Sequence, residues 1–263
     1  MADDGSSDES RGGPQFIPRP DKWRPGRPPP WSEVVASTEP RLDLDDVRRV
    51  FPPGRVGRRS PVEDTGASPS AVLVAFYMDG PAGGEELHVI LTRRAWGLRT
   101  HAGEVAFPGG RCDLGETYAE AAVREAWEET ALAADSVEVL GELDHLTTVT
   151  RRAFIVPVVA VIADRPQLEA NPSEVDRVLR VPVAELLRPE LFREEQWGEG
   201  DQHRPIYFFE LMGDTLWGAT AAILRQCLAM LVGVDPGTLA DLDPSRVAPK
   251  GYRLAAGYHN SVV

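Results

Sequence analysis

The chain has 263 residues, 42% of them hydrophobic, and sets 41 acidic against 28 basic side chains for a net charge of −13. That length supports one main domain with extensions, and the acidic balance excludes a general binder of nucleic acid or anionic membrane, whose phosphates demand a basic surface. The two cysteines, Cys112 and Cys227, are far apart and form no CxxC pattern, so neither a disulfide framework nor a structural zinc site is expected.

The N-terminus, MADDGSSDESRGGP, has no basic region leading into an apolar stretch, and no apolar run reaches membrane-spanning length. A cytoplasmic location is the expectation. Residues 1–30 are rich in Asp, Ser, Gly and Pro, a composition that buries too little apolar surface to order itself, so a disordered arm is expected. Residues 31–69 read as a short helix and a linker. The helix falls on DLDDVRRVF, where Leu44, Val47, Val50 and Phe51 recur at helical spacing, with acids first and arginines last.

The main domain is expected over 70–232. AVLVAFYM (71–78) and ELHVILT (86–92) flank the turn-like DGPAGG and predict a hairpin. A strand near EVAF precedes a helix from Thr117 to Thr130, favoured by its alanines and glutamates. Further strands are expected at SVEVLGEL, AFIVPVVAVI, VDRVLRVPV and RPIYFFEL, and a closing helix, ATAAILRQCLAMLV, is apolar enough to dock in the core. Strands outnumber helices and join by short turns, which predicts an α+β fold with a mixed sheet. The tail, 233–263, holds Pro236, Pro244 and Pro249 and reads as loop, to be ordered by docking or by self-association into a homodimer.

One stretch carries the chemistry: FPGGRCDLGETYAEAAVREAWEETAL, 107–132. With Glu125 at zero on a helical wheel, Glu129 falls near 40° and Glu128 near 300°, whereas Glu120 lies near 220° and reads as solvated. Three carboxylates therefore share one face, although like charges at this spacing repel. Such hard oxygen donors suit Mg²⁺ or Mn²⁺. A cation held there bridges a diphosphate and acidifies a water, and a nearby carboxylate takes the proton. The glycines of FPGG let backbone approach an ion closely.

Gly110, Glu116, Arg124, Glu125, Glu128, Glu129 and Leu132 together resemble the Nudix box of the Nudix hydrolases, which cleave a nucleoside diphosphate linked to another moiety. The resemblance implies a Nudix-type α/β/α sandwich with a catalytic loop-helix-loop. It implies Glu128, Glu129 and the Gly109 carbonyl as metal ligands, Glu125 as ligand or general base, and Arg124 as the residue that orients the carboxylates. Glu116 would hold the helix start or a further ion. Ala131 stands where the family's last glycine is expected, which draws attention to the turn leaving the helix.

Upstream, ILTRRAWGLRTHAGEVAFPGG resembles the signature of the coenzyme A pyrophosphatase branch, through Ile90, Leu91, Thr92, Arg94, Arg99, Gly103 and 107–110, with Ala95 in place of the usual serine. Arg94 and Arg99 would supply phosphate contacts, with Gly110 beside them. DTLWGATAAIL resembles the segment that closes that branch's domain, with Trp217 as core packing. His101 between the arginines and Glu174 downstream are further candidates for phosphate contact and for a ligand or base. Cys112 has no base nearby and is not read as a nucleophile. His145 and His203 receive no role. The implied substrate is a coenzyme A-like small nucleotide; a Nudix hydrolase of ADP-ribose or another nucleoside diphosphate derivative, and a non-catalytic nucleotide-binding module, remain open alternatives.

Overall fold

Alternation along one central strand organises the molecule. Residues 11–148, 152–199 and 203–237 are described by the computed structural model. The strands are β1 (Trp23–Pro25), β2 (Ser68–Asp79), β3 (Glu86–Arg94), β4 (Val105–Ala106), β5 (Gly109–Arg111), β6 (Val137–Glu142), β7 (Leu146–Thr147), β8 (Ala153–Ile162), β9 (Val175–Pro182), β10 (Phe192–Trp197), β11 (Arg204–Leu211) and β12 (Asp214–Trp217). The helices are α1 (Ser32–Ser37), α2 (Leu44–Val50), α3 (Tyr118–Thr130), α4 (Val183–Leu186) and α5 (Gly218–Leu231).

In β2, Leu73, Ala75 and Tyr77 pack toward Ala121, Ala122 and Ala126 of α3, whereas Val74 and Phe76 join the core that holds α2 and α5. β8 repeats the pattern, with Val156, Val158 and Ala160 toward α3 and Val159 and Val161 toward α5. A strand buried on both faces has apolar residues at every position, which is why both segments read as unbroken hydrophobic runs. Small alanines on α3 bring that helix close to the sheet, and larger side chains fill the opposite layer.

The main sheet runs β4-β3-β2-β8-β6, with β9 beside β3, β5 on β2 and β7 on β8. β2 pairs antiparallel with β3 and parallel with β8, so the sheet is mixed and the fold is α+β in three layers, as expected. A second sheet, β1-β10-β11-β12, lies outside that frame. Among the described residues no helix is long and apolar enough to cross a membrane.

Two expectations need correction. The arm expected to be disordered over 1–30 is, in residues 11–30, laid along the second sheet: Trp23 pairs with Trp197, and the buried Gln15 bonds Asp214 and Thr215. Composition missed this because its order comes from partners some 200 residues away. Residues 1–10 lie outside the described residues. Nor does the stretch 31–69 behave as a mere linker. Trp31, Val47 and Phe51 are fully buried in the main core, and the Trp31 indole N–H donates to the Leu187 carbonyl at 2.8 Å. Most of the expected tail, 238–263, also lies outside the described residues.

Candidate active site

Helix α3 begins in a capping box. The Thr117 hydroxyl accepts from the Glu120 N–H at 3.2 Å, and the Glu120 carboxylate accepts from the Thr117 N–H at 2.8 Å. Glu120 is thus a cap rather than an idle solvated acid. The far end is closed as thoroughly: the carbonyls of Trp127, Glu128, Glu129 and Thr130 accept from Ala131 N–H, Asn171 Nδ2, Asn171 N–H and Glu169 N–H respectively. Asn171 escaped the sequence reading, although NPS is a turn signal. Its bonds hold the following loop against the helix end and so deliver Glu174 to the site. Ala131 takes the left-handed conformation the family glycine would take, with φ 56°. The turn geometry survives, with an alanine in a region that suits glycine.

The carboxylates meet one cation. Arg124 Nε and Nη2 donate to Glu116 at 2.8 and 3.1 Å, and Nη1 donates to Glu125 at 2.9 Å and Glu128 at 3.4 Å. Nη2 also reaches the Arg111 carbonyl at 3.0 Å, which ties the loop to the helix. Glu116 is held below the usual carboxylate range by the Arg124 guanidinium. Burial pushes Glu125 upward, opposed by Arg124.

Glu129 is different. It is 3% exposed, accepts from the Gly109 N–H at 3.3 Å, and lies 3.9 Å from Arg94 Nη1. Burial lifts its pKa to about 8 against the pull of Gly109 and Arg94, and the charges of Glu125 and Glu174 add to the rise. Mutual repulsion in the free protein is therefore eased by Arg124, and burial favours the neutral form of Glu129. Glu128 and Glu129 also occupy the last turn, where the helix dipole disfavours negative charge and no basic residue compensates.

The glycines are required by proximity. A Cβ on Gly110 would lie 2.4–2.5 Å from the Glu125 carboxyl atoms, and one on Gly109 would lie 2.3 Å from the Ala71 carbonyl. The remaining candidates are spread along the rim. Arg94 is half-buried, and its Nε has no hydrogen-bond partner. Arg99 is exposed on the loop that follows. His101 turns to Glu104 at 2.9 Å, which raises its pKa. Glu174 is exposed but close enough for its charge to act on Glu125 and Glu129. Burial, with Glu116 next, pushes the Cys112 thiol up to about 11, which suits no nucleophile. His145 is buried between Glu142 at 3.0 Å and Glu63 at 3.5 Å, beneath Tyr118.

A family model described as the NUDIX domain matches residues 68–199. The chain belongs to the Nudix family. It is an enzyme, a Nudix pyrophosphatase that hydrolyses a phosphoanhydride. It is 39% identical over 150 residues to the uncharacterised Nudix hydrolase NudL of Citrobacter koseri, an alignment covering 56% of this chain and 77% of that protein. It is 36% identical over 163 residues to Nudix hydrolase 3 of Caenorhabditis elegans, covering 60% of this chain and 58% of the relative. Among solved structures, the Nudix hydrolase RenU of M. smegmatis shares 25% identity over 46% of this chain and 74% of its own, with a TM-score of 0.39.

Nudix hydrolases generally use divalent metal ions. The donors on α3 fit a hard cation: they are carboxylate oxygens, one is buried and raised in pKa, and glycine at 110 lets the Glu125 carboxylate lie directly against the loop backbone. Among the described residues no three acidic, histidine or cysteine side chains close into a finished cage. Glu125 and Glu128 are instead turned to Arg124, which occupies the role of counter-charge.

Proposed function

We propose that this Nudix hydrolase cleaves the diphosphate of coenzyme A or its thioesters, giving 3′,5′-ADP and (acyl-)4′-phosphopantetheine, with Mg²⁺ or Mn²⁺ as its cation. The observation that carries the reading is the place of Arg94. Its guanidinium stands beside the buried Glu129 at 3.9 Å, on the segment ILTRRAWGLRTHAGEV, with an unsatisfied Nε. A cationic fork adjoining the carboxylates is what a diphosphate needs on a chain of net charge −13.

Glu125, Glu128, Glu129 and the Gly109 carbonyl would hold the cation. When bound, it would offset the charge of the substrate diphosphate and acidify the attacking water. Arg124 keeps Glu125 and Glu128 aligned through the contacts already described, and Glu116 fixes Arg124 in turn. Glu125, inside the cluster against Arg124, or Glu174, exposed at its edge, would receive the proton from water. Arg94 and Arg99 would take the phosphate oxygens, and Gly110, without a side chain, lets its loop lie against Glu125. Glu128 belongs to the catalytic set through its ion.

The test is direct. The protein is incubated with coenzyme A, ADP-ribose and 8-oxo-dGTP in separate reactions with Mg²⁺ or Mn²⁺, and products are resolved by chromatography. Coenzyme A should yield 3′,5′-ADP. Survival of coenzyme A while another substrate is cleaved would overturn the assignment in favour of that substrate.

A further inference from the structure

Helix α3 carries the carboxylates, and its first turn borders open space. A cleft of about 710 Å³ at that end is lined by Cys112, Leu114, Glu116, Tyr118 and Glu142, and the Leu114 side chain is fully exposed. The fully buried positions of the helix begin only at Ala121, so the first turn relies in part on polar ties. Two of these are local: the capping box, and the Asp113 N–H donated to Glu116 at 2.9 Å.

A third comes from a distant part of the chain. Tyr118, the first residue of α3, donates its hydroxyl to Glu63 at 2.8 Å. Glu63 stands on a segment N-terminal to the Nudix domain, and that segment is strapped along β6 and β7. The Glu142 N–H donates to the Arg55 carbonyl and the His145 N–H to the Arg58 carbonyl, both at 2.9 Å, and the Ser60 and Thr147 hydroxyls meet at 2.7 Å. A Cβ on Gly57 would fall 1.8 Å from the Leu143 carbonyl oxygen, so the strap lies directly against the sheet.

The Glu63 side chain is held on all sides. Arg59 grips it through Nε and Nη2, each at 2.9 Å, and His145, stacked on Phe154 and edge-on to Tyr118, sets Nδ1 3.5 Å away. Arg59 keeps Glu63 below the usual carboxylate range against its burial, whereas burial and then Glu63 push Tyr118 up to about 12. The bond therefore joins a charged acceptor to a neutral donor, the stronger kind. Nε2 of His145 turns to Glu142 at 3.0 Å, so the two carboxylates lie at different ring nitrogens and do not close around one ion.

We propose that Glu63 is a positioning residue for the hydrolysis: through Tyr118 it fixes the first turn of α3, and with it the Glu116 carboxylate that anchors Arg124. Glu116 precedes Tyr118 by two residues and takes the Arg124 Nε and Nη2 bonds, while Nη1 aligns Glu125 and Glu128. Releasing the latch lowers the fraction of molecules in which Arg124 holds both carboxylates in place. Turnover slows, and the arginines that would take the phosphates are untouched. The inference rests on Nudix hydrolysis and not on the choice of coenzyme A.

The test measures steady-state turnover with Mg²⁺ on coenzyme A, or on ADP-ribose should coenzyme A survive, for wild type, E63A, E63Q, Y118F and the E63A/Y118F double variant. Amide hydrogen exchange over residues 113–124 is read on the same proteins by mass spectrometry. E63A and Y118F should each lower kcat about tenfold with KM little changed, and the double variant should fall no further than E63A. E63Q, whose amide oxygen still accepts the hydroxyl, should stay near wild type. Exchange over 113–124 should quicken in E63A and Y118F. Unchanged kcat in Y118F overturns the proposal, as do losses that multiply in the double variant. A loss in E63Q equal to that in E63A assigns the effect to the Arg59 ion pair and also overturns it. Unchanged exchange does so even if neither nucleotide is cleaved, whereas turnover of ADP-ribose alone overturns only the substrate assignment.

Discussion

Charge is concentrated in two places in this protein, and the two are resolved in opposite ways. Around Asp214, which is fully buried, Gln15 donates at 2.6 Å and Arg93 at 3.1 Å, Arg177 adds a further ion pair, and Arg93 also binds Asp176 at 2.8 Å. Two arginines answer two aspartates, and the group joins β3, β9, β12 and the N-terminal segment. At α3, Glu116, Glu125 and Glu128 share Arg124, and Glu129 lies beside Arg94 with the charge of Glu174 acting on it. A satisfied cluster builds a fold; a cluster left short of positive charge is held ready for something that brings it.

The largest expected effect tests the second half of that contrast. Glu129→Gln should lower turnover by about three orders of magnitude or more, because it removes a carboxylate from the cation site. The metal-free variant should melt no lower than wild type, since a neutral amide escapes the burial cost that raises the Glu129 pKa. Steady-state kinetics with Mg²⁺ and thermal melting in chelator measure the two. A metal-free variant that melts far below wild type would make the cluster structural.

Asp214→Ala sharpens the comparison from the other side. Stability should fall by about 3 kcal/mol, because Arg93 and Gln15 lose a buried partner; the figure sits at the low end since Arg177 is 47% exposed. Urea unfolding reads this, and an unchanged midpoint would deny the network its structural role. The smallest effect concerns the turn that ends α3. Ala131→Gly should gain about 1 kcal/mol by relieving the left-handed alanine at φ 56°. A loss on chemical denaturation would show that alanine's lower unfolded-state entropy outweighs its strain.

The elements legible in the sequence were those whose signal is local. β2, β8, α3 and α5 announce themselves through continuous apolar runs or helical spacing, and the box fixes Arg124 and its glutamates by interval alone. β10 was missed because FREEQW carries Glu194 and Glu195 inward, where alternation normally shows apolar residues. Glu195 is tolerated there because Arg193 and the Trp197 indole of the same strand meet it, and Arg19 reaches it from the arm, 176 residues earlier in the chain. The same distance hid Gln15. Likewise, spacing placed Arg94 in the site but could not say that Glu129 would be its buried neighbour.

The docking of residues 11–25 has a consequence for how the chain is made. Arg11 bridges Met212, Gln15 bonds Thr215, and Trp23 pairs with Trp197, so the first described segment closes on some of the last strands to be synthesised. Loop closure over that separation is slow, and the nascent main sheet must form while its second sheet lacks an edge. During translation the N-terminal segment is thus made first and has no strand to pair with until β10 follows it. The segment that composition marks as least able to fold is the one whose arrival completes the molecule.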